Sequence, residues 1–427
     1  MDDPIVIVSS DGHAGALMAD YRPYLDAAYR EEFDDFLIEW NEHGSRNFDP
    51  PALRSRLDPA DVEDWTAKMV DTGRLDGFPD PNRRLQEVEK EGICAEVLFP
   101  DFGIPFELYS RGIAATLGRT YTLADDGHRQ AAFRAFNRWL MDYVSAAPER
   151  FVGTAVVSWH DVDAALTDIR AAHAGGLRAI VLPEFSGARP LYHHSFEPIW
   201  NLIEELGLIV SSHAGISSTS NQQVGATEVA HPAMAARLWM PELMFRVHNI
   251  LTHLIWGGVL ERHPTMKVVF TEQGSGWVVP QLADMDYSYE GSYFRSDYKD
   301  LIRSKPSEYF RRQCYLGSSL FSRAEISARR TIGLDKMMLG MDFPHHEGTL
   351  VHSTQEYLRA TLGAAGVPLE EARLMLGLTA AEVYGFDLER LVPVAARLGL
   401  QPDQILSEPD YELYPRGDVH RPAVLAI

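Results

Sequence analysis

Four polar clusters each follow directly on an apolar run, and each holds side chains able to bind a cation or move a proton. They are Ser9-Ser10-Asp11-Gly12-His13, Ser212-His213-Ala214-Gly215, Thr271-Glu272-Gln273-Gly274 and Asp342-Phe343-Pro344-His345-His346. Two imidazoles, His13 and His213, and two carboxylates, Asp11 and Asp342, form a mixed nitrogen and oxygen set suited to Zn, Mn or Fe. Residues i and i+2 of an extended strand share a face, so Asp11 and His13 are expected to approach one ion from one side. Taken alone, Asp-Gly-His reads as a turn closed by an Asx-type hydrogen bond. The shared position at strand ends is what argues for a site.

That position depends on the elements beneath it. Eight short apolar runs alternate with helix-like stretches: Ile5 to Val8, Ala95 to Phe99, Val152 to Ser158, Ala179 to Pro183, Leu208 to Ser212, Val268 to Thr271, Gln313 to Gly317 and Met337 to Met341. Continuous apolar runs are the mark of parallel strands buried on both faces. Between them, Val162, Leu166 and Ile169 fall on one face of a helix over Val162 to Ala174, and Arg129 to Ala146 reads as another. Eight alternations predict a closed α/β fold, a (β/α)8 TIM barrel, with a doubly wound open sheet as the competitor. In a barrel the C-terminal strand ends face the active site, where the four clusters lie.

Two stretches break the alternation. Residues 16–80 are expected to be a helical insertion after strand one, with helices near Leu25 to Trp40 and Pro59 to Val70, serving as a cover or as a subunit contact. From about 391 to 427 the chain is expected to run as an extended C-terminal arm, and residues 1–427 are read as one domain.

Composition narrows the function. A hydrophobic fraction of 45% and a charged fraction of 23% are those of a packed globular protein. The net charge of -22 disfavours nucleic acid and anionic membrane surfaces, leaving a small molecule as the expected partner. The two cysteines, Cys94 and Cys314, lie inside apolar runs, which argues against a disulfide framework and fits a cytoplasmic setting. Neither a secretory signal nor a membrane span is expected. Gly274-x-Gly276 lacks the third glycine of a dinucleotide motif, and neither a P-loop nor a Gly-x-Ser-x-Gly elbow occurs.

The Asp-x-His after the first strand, Ser-His-Ala-Gly after the fifth and Gly340-Met341-Asp342-Phe343-Pro344-His345 after the eighth resemble the amidohydrolase superfamily. The resemblance is closest to its amidohydrolase-related branch, which contains the aminocarboxymuconate-semialdehyde decarboxylase-like and resorcylate decarboxylase-like enzymes. Glu261-Arg262-His263-Pro264-Thr265-Met266-Lys267-Val268 and Ala380-Ala381-Glu382-Val383-Tyr384-Gly385 support it, over about residues 3 to 400 outside the insertion. It implies one divalent metal held by Asp11, His13, His213 and Asp342, with zinc as the leading expectation and manganese or iron as alternatives. It also implies a homodimer.

The chain departs from that pattern twice. Asp11 stands where His or Glu is common, and Glu272 stands where a catalytic His is common. Glu272 reads as a general acid or base, as a ligand supporting a second ion, or as a hydrogen-bonding support. With Asp342 and His213 it completes the expected catalytic set, while His345, His346, Glu184 and Trp277 are candidates for substrate contact. His248 and His253 are read as structural, and Phe343 as a pocket wall.

The leading expectation is metal-assisted hydrolysis of an amide, ester, lactone or thioester, with Asp342 or Glu272 shuttling protons. Nonoxidative decarboxylation of a small carboxylic acid is the rival, and an inactive barrel that only binds a ligand is the third reading.

Overall fold

The computed structural model describes residues 4–410 apart from 56, 102, 109–124, 186–187, 218–231, 292–294 and 350–352. Its centre is a parallel sheet of nine strands: β1 (Val8–Ser9), β2 (His13–Ala14), β3 (Ala95–Pro100), β4 (Phe151–Val156), β5 (Ala179–Val181), β6 (Ile209–His213), β7 (Val268–Thr271), β8 (Cys314–Ser318) and β9 (Met337–Leu339). The order is β1-β3-β4-β5-β6-β7-β8-β9, with β2 pairing on β3 further along, so each strand lies beside the next in the chain. The ends of this sheet meet where Ser10 N–H donates to Leu339 O at 2.7 Å and Asp342 N–H donates to Asp11 O at 3.1 Å. The result is a nearly closed (β/α)8 TIM barrel, and the eight apolar runs account for its eight staves.

Although every strand residue is buried, alternation still sorts them. Val268, Phe270, Leu316, Met337 and Leu339 pack outward with the helices, whereas Val269, Tyr315 and Met338 join Val8, Val97 and Ile209 in a separate interior cluster. Ala380, Ala381, Val383 and Tyr384 of the helix Thr379–Tyr384 belong to that same interior cluster. This parity carries His213 inward, four residues on from Ile209 within β6, whereas Glu272 and Asp342 lie just beyond the ends of β7 and β9, where left-handed backbone sets their direction.

The first strand differs from the expected form. Asp11 and His13 do not sit on one continuous strand, because the chain leaves the ladder at Ser10 and re-enters at His13, which pairs with Phe99. Gly12 permits the break: a Cβ there would lie 2.7 Å from Arg84 Nη2 and 3.0 Å from Glu96 Oε1. Arg84 and Glu96, both fully buried, form a two-pronged ion pair at 2.8 and 2.9 Å. Arg84 Nη1 also donates to His13 O at 2.9 Å, and its guanidinium lies 3.7 Å above the Phe343 ring. One buried cation thus ties the first and last strand ends together.

Between β2 and β3 the chain forms helices at Arg30–His43, Pro50–Arg54 and Pro59–Trp65 before the helix Pro81–Lys90. Asp80 caps that last helix by accepting from Asn82 and Arg83 N–H, with Pro81 at its first position. Phe48, Leu53, Val62, Trp65 and Met69 join the outer core, and Trp65 Nε1 donates to Pro344 O at 3.0 Å. The inserted segment therefore packs against the turn that follows β9.

The expected extended arm requires correction over its first part. Residues Leu388–Leu398 and Pro402–Leu406 are helical, because Leu391 and Ala395 recur one turn apart and bury on the barrel. Residues 411–427 lie outside the described residues.

Candidate active site

Asp11, His13, His213 and Asp342 are all buried and come together at the C-terminal end of the barrel. His13 Nε2 lies 3.2 Å from Asp342 Oδ1 and 3.9 Å from Asp11 Oδ1, and His213 Nε2 lies 3.3 Å from Asp11 Oδ1. Both imidazoles are oriented from behind: His13 Nδ1 is 3.0 Å from Pro100 O, and His213 Nδ1 is 2.7 Å from Ala214 O. A carbonyl accepts only, so each ring carries its proton on Nδ1 and turns the Nε2 lone pair inward. Ser319 Oγ donates to the other oxygen of Asp11.

This arrangement answers whether a cation fits. Neither oxygen of Asp342, nor His13 Nε2, has a hydrogen-bond partner, although all are buried. Lone pairs that face one another without a donor need a proton or a cation between them. The donor set of two imidazoles and two carboxylates suits a divalent transition metal.

His345 enters the same space. Its ring stacks on His13 with centroids 4.5 Å apart, Nδ1 lies 3.5 Å from Asp342 Oδ1, and Nε2 lies 3.5 Å from Asp101 Oδ2. Glu272, a quarter exposed, places Oε2 3.3 Å from His213 Nδ1. Among the described residues three groups have converging ligand atoms, each within 4.8 Å: Asp11, His13 and His213; His13, Asp101 and His345; and Glu272, Asp342, His345 and Glu347.

Proton affinities follow from this crowding. Burial drives the Asp342 carboxyl well above its ordinary value, with Glu272 and Asp11 adding to the rise against His345. Burial also pushes Glu272 up to about 7, with Asp11 adding and His213 opposing. Burial works against the His345 imidazolium, but Asp342 and Asp101 outweigh it and hold the ring well above the usual histidine range. Burial, reinforced by His345, lowers His13 to about 4 and keeps it neutral. For Asp11, burial opposes the charge, yet His213 pulls the carboxyl below its ordinary value. In the same pair burial opposes the His213 cation, and Asp11 raises it.

Other expected residues lie differently. His346 Nδ1 contacts the Glu347 carboxylate, and Glu184, after β5, is partly exposed; neither belongs to a converging group. Trp277 stacks on His248 at 4.1 Å and lines a separate cleft of about 770 Å³ with Trp256, Asp284 and Tyr298. Phe343 is fully buried under Arg84. Asp101, Glu347 and Ser319 were not singled out from the sequence. Asp101 has the same inward parity as Val97 and Phe99, and Ser319 directly follows β8, so the strand-end rule applied to those two strands would have collected both. Buried Asn47 and Arg46, from the inserted segment, are neighbours of this region: Asn47 Nδ2 donates to Asp101 Oδ1 at 3.4 Å.

A model of the family described as Amidohydrolase matches residues 95–386. The chain belongs to the amidohydrolase family. Its fold is shared with a 5-carboxyvanillate decarboxylase from Sphingomonas paucimobilis, at 17% identity over 90% of this chain and 100% of that one, TM-score 0.57. An amidohydrolase from Mycobacterium avium subsp. paratuberculosis matches at 18% identity over 90% of this chain and 100% of that one, TM-score 0.63. A dihydroxybenzoic acid decarboxylase from Polaromonas, with bound manganese and the inhibitor 2-nitroresorcinol, matches at 16% identity over 90% and 97% of the two chains, TM-score 0.55. At such identities these likenesses establish the fold. No curated protein sequence matches the chain. Among the described residues no helix is long and apolar enough to cross a membrane.

Proposed function

We propose that this amidohydrolase-family protein is a metal-dependent nonoxidative decarboxylase of a small carboxylic acid. The observation that carries the reading is the placement of Glu272, a quarter exposed and with Oε2 3.3 Å from His213 Nδ1, where its carboxyl, raised by burial, stands beside the buried Asp11, His13, His213 and Asp342 set. Decarboxylation needs such a donor: the bond from carbon to carboxylate breaks, carbon dioxide leaves, and the electron pair left on carbon takes the proton. The partial exposure of Glu272 lets water return that proton. Several proteins of the same fold are aromatic acid decarboxylases, which supports this reading over the hydrolysis expected from the sequence.

Asp11, His13, His213 and Asp342 would hold a divalent cation, which would neutralise and orient the substrate's carboxylate. Manganese ranks ahead of zinc, since oxygen-bearing sets suit it and related structures contain it. Arg46, buried in the inserted segment beside Asn47, would add positive charge toward an anionic substrate. A homodimer belongs to the same reading, because Met234, Leu238, Met240 and Phe245 are exposed along the helix Pro232–Trp256. Free, buried Cys94 and Cys314 suit the cytoplasm.

Hydrolysis is the second reading, favoured by the convergence of Glu272 and Asp342, two carboxyls able to pass a proton to and from water. A panel of hydroxybenzoic acids beside esters, lactones and thioesters, offered to manganese-loaded protein, separates the two. Carbon dioxide release from an aromatic acid is expected, and cleavage of the acyl derivatives alone would reverse the order.

A further inference from the structure

We propose that the cleft beside Trp277 is a binding site for a small organic cation, an ammonium group carried on an apolar body. The cleft is separate from the metal ligands, so the inference stands whichever reaction they perform. Its lining comes from Trp277, from the helices Pro232–Trp256 and Val278–Gly291 and from the short helical turn Asp297–Asp300. Its volume of about 770 Å³ falls within the range of roughly 300–1,000 Å³ usual for small-molecule sites.

Three aromatic rings, Trp256, Trp277 and Tyr298, form its walls with His248 and Met285. Each of the three is partly exposed, and contacts behind them fix their orientation. Trp277 stacks on His248 10° from parallel and donates from Nε1 to Gly274 O at 3.2 Å. Trp256 meets Tyr298 edge to face at 5.7 Å, and Tyr298 OH donates to Tyr289 O at 2.7 Å. The faces of such rings carry negative potential, which attracts an ammonium group more strongly than a neutral group of the same shape. The chain shows this preference nearby: Lys299 Nζ lies 4.9 Å from the centre of the Tyr289 ring, which packs edge-on against Tyr298 at 5.8 Å.

Charge points the same way. Among the described residues the lining holds one carboxylate, Asp284, and no lysine or arginine. Asp284 is exposed and has no ion-pair partner among the described residues. Burial lowers His248 to about 4, so the ring stacked on Trp277 stays neutral near neutral pH and adds no positive charge. The lining thus carries a single negative charge beside three aromatic rings, in a chain whose net charge is -22. A carboxylic acid of the kind proposed for the metal site finds no cationic partner here.

The test is a titration of the full-length protein with choline and with its neutral isostere, in which a tert-butyl group replaces trimethylammonium, followed through the isotope-labelled indole N–H signals of Trp256 and Trp277. Choline should shift both signals to saturation and bind roughly three- to tenfold more tightly than the isostere. Asp284→Asn, at an exposed position, should weaken choline by roughly threefold and leave the isostere unchanged. Equal binding of the two probes would reduce the cleft to an apolar groove and overturn the proposal. Choline binding that leaves both signals in place, or that Asp284→Asn does not weaken, would overturn it as well.

Discussion

His13 and His345 lie face to face, their rings 5° from parallel and 4.5 Å apart. Two protonated rings could not share that space cheaply, and the pair divides the work: His13 is held neutral down to about 4, while His345 is held cationic between Asp342 and Asp101. His13 therefore offers a free lone pair throughout the physiological range.

Metal affinity should then be limited by the proton on Asp342. Burial holds the Asp342 carboxyl well above its ordinary value, so in the metal-free protein it must give up a proton to bind a cation. Calorimetric titration with Mn2+ should show affinity falling as pH drops, with protons released on binding. An affinity unchanged by falling pH would show that the Asp342 carboxyl takes no part.

Glu272 as proton donor carries the opposite slope. Its acid form is lost as pH rises through about 7, so turnover should decline above that point. Glu272→Gln should slow turnover by roughly a hundredfold and abolish that alkaline limb. Full turnover with an unchanged pH profile would take Glu272 out of the chemistry.

Gly12 makes a packing prediction. Its added Cβ would strike Arg84 and Glu96, whose ion pair is fully buried and cannot swing into solvent. Gly12→Ala should cost about 1–3 kcal/mol in thermal unfolding and weaken metal binding through displaced His13. Replacing Arg84 by Met should cost more, about 3–5 kcal/mol, since it strands the Glu96 charge. Unaltered stability in both variants would mean that the pair does not tie β2 to the barrel.

The helix Leu388–Leu398 supplies an acid-sensitive contact. Hydrogen bonding from Arg397, opposed by burial and aided by Arg150, lowers Glu89 to about 2. The unfolded chain holds this carboxyl near 4.5, so the contribution is complete above that value and disappears as pH falls toward about 2. Arg397 is largely exposed, so Arg397→Ala should cost at most about 1 kcal/mol at pH 7 and nothing measurable near pH 2. Denaturant unfolding at both pH values checks it, and an equal cost at both would assign the effect to packing.

Much of this architecture was legible in the sequence because parallel barrel strands, buried on both faces, appear as unbroken apolar runs. Asp11, His13, His213 and Asp342 could be collected by position alone, without knowing side-chain directions. Asp101 and Glu347 escaped for different reasons: Asp101 is masked by Pro100 at the close of β3, and Glu347 follows two histidines that drew attention first. The break between β1 and β2 was invisible because it depends on Arg84, a residue far along the chain whose buried guanidinium occupies the space Gly12 leaves. Trp277, a candidate for substrate contact, faces His248 in a neighbouring cleft, because a strand-end position does not say which way a large ring turns. The helix over Leu388–Leu398 was hidden by Pro393, which lies within it without ending it.

The most direct measurement is anomalous diffraction from a crystal of the protein grown with Mn2+. The account predicts a peak within about 2–2.5 Å of side-chain atoms from Asp11, His13, His213 and Asp342 together. A peak coordinated elsewhere, or empty density among those four in a crystal saturated with the ion, would contradict it.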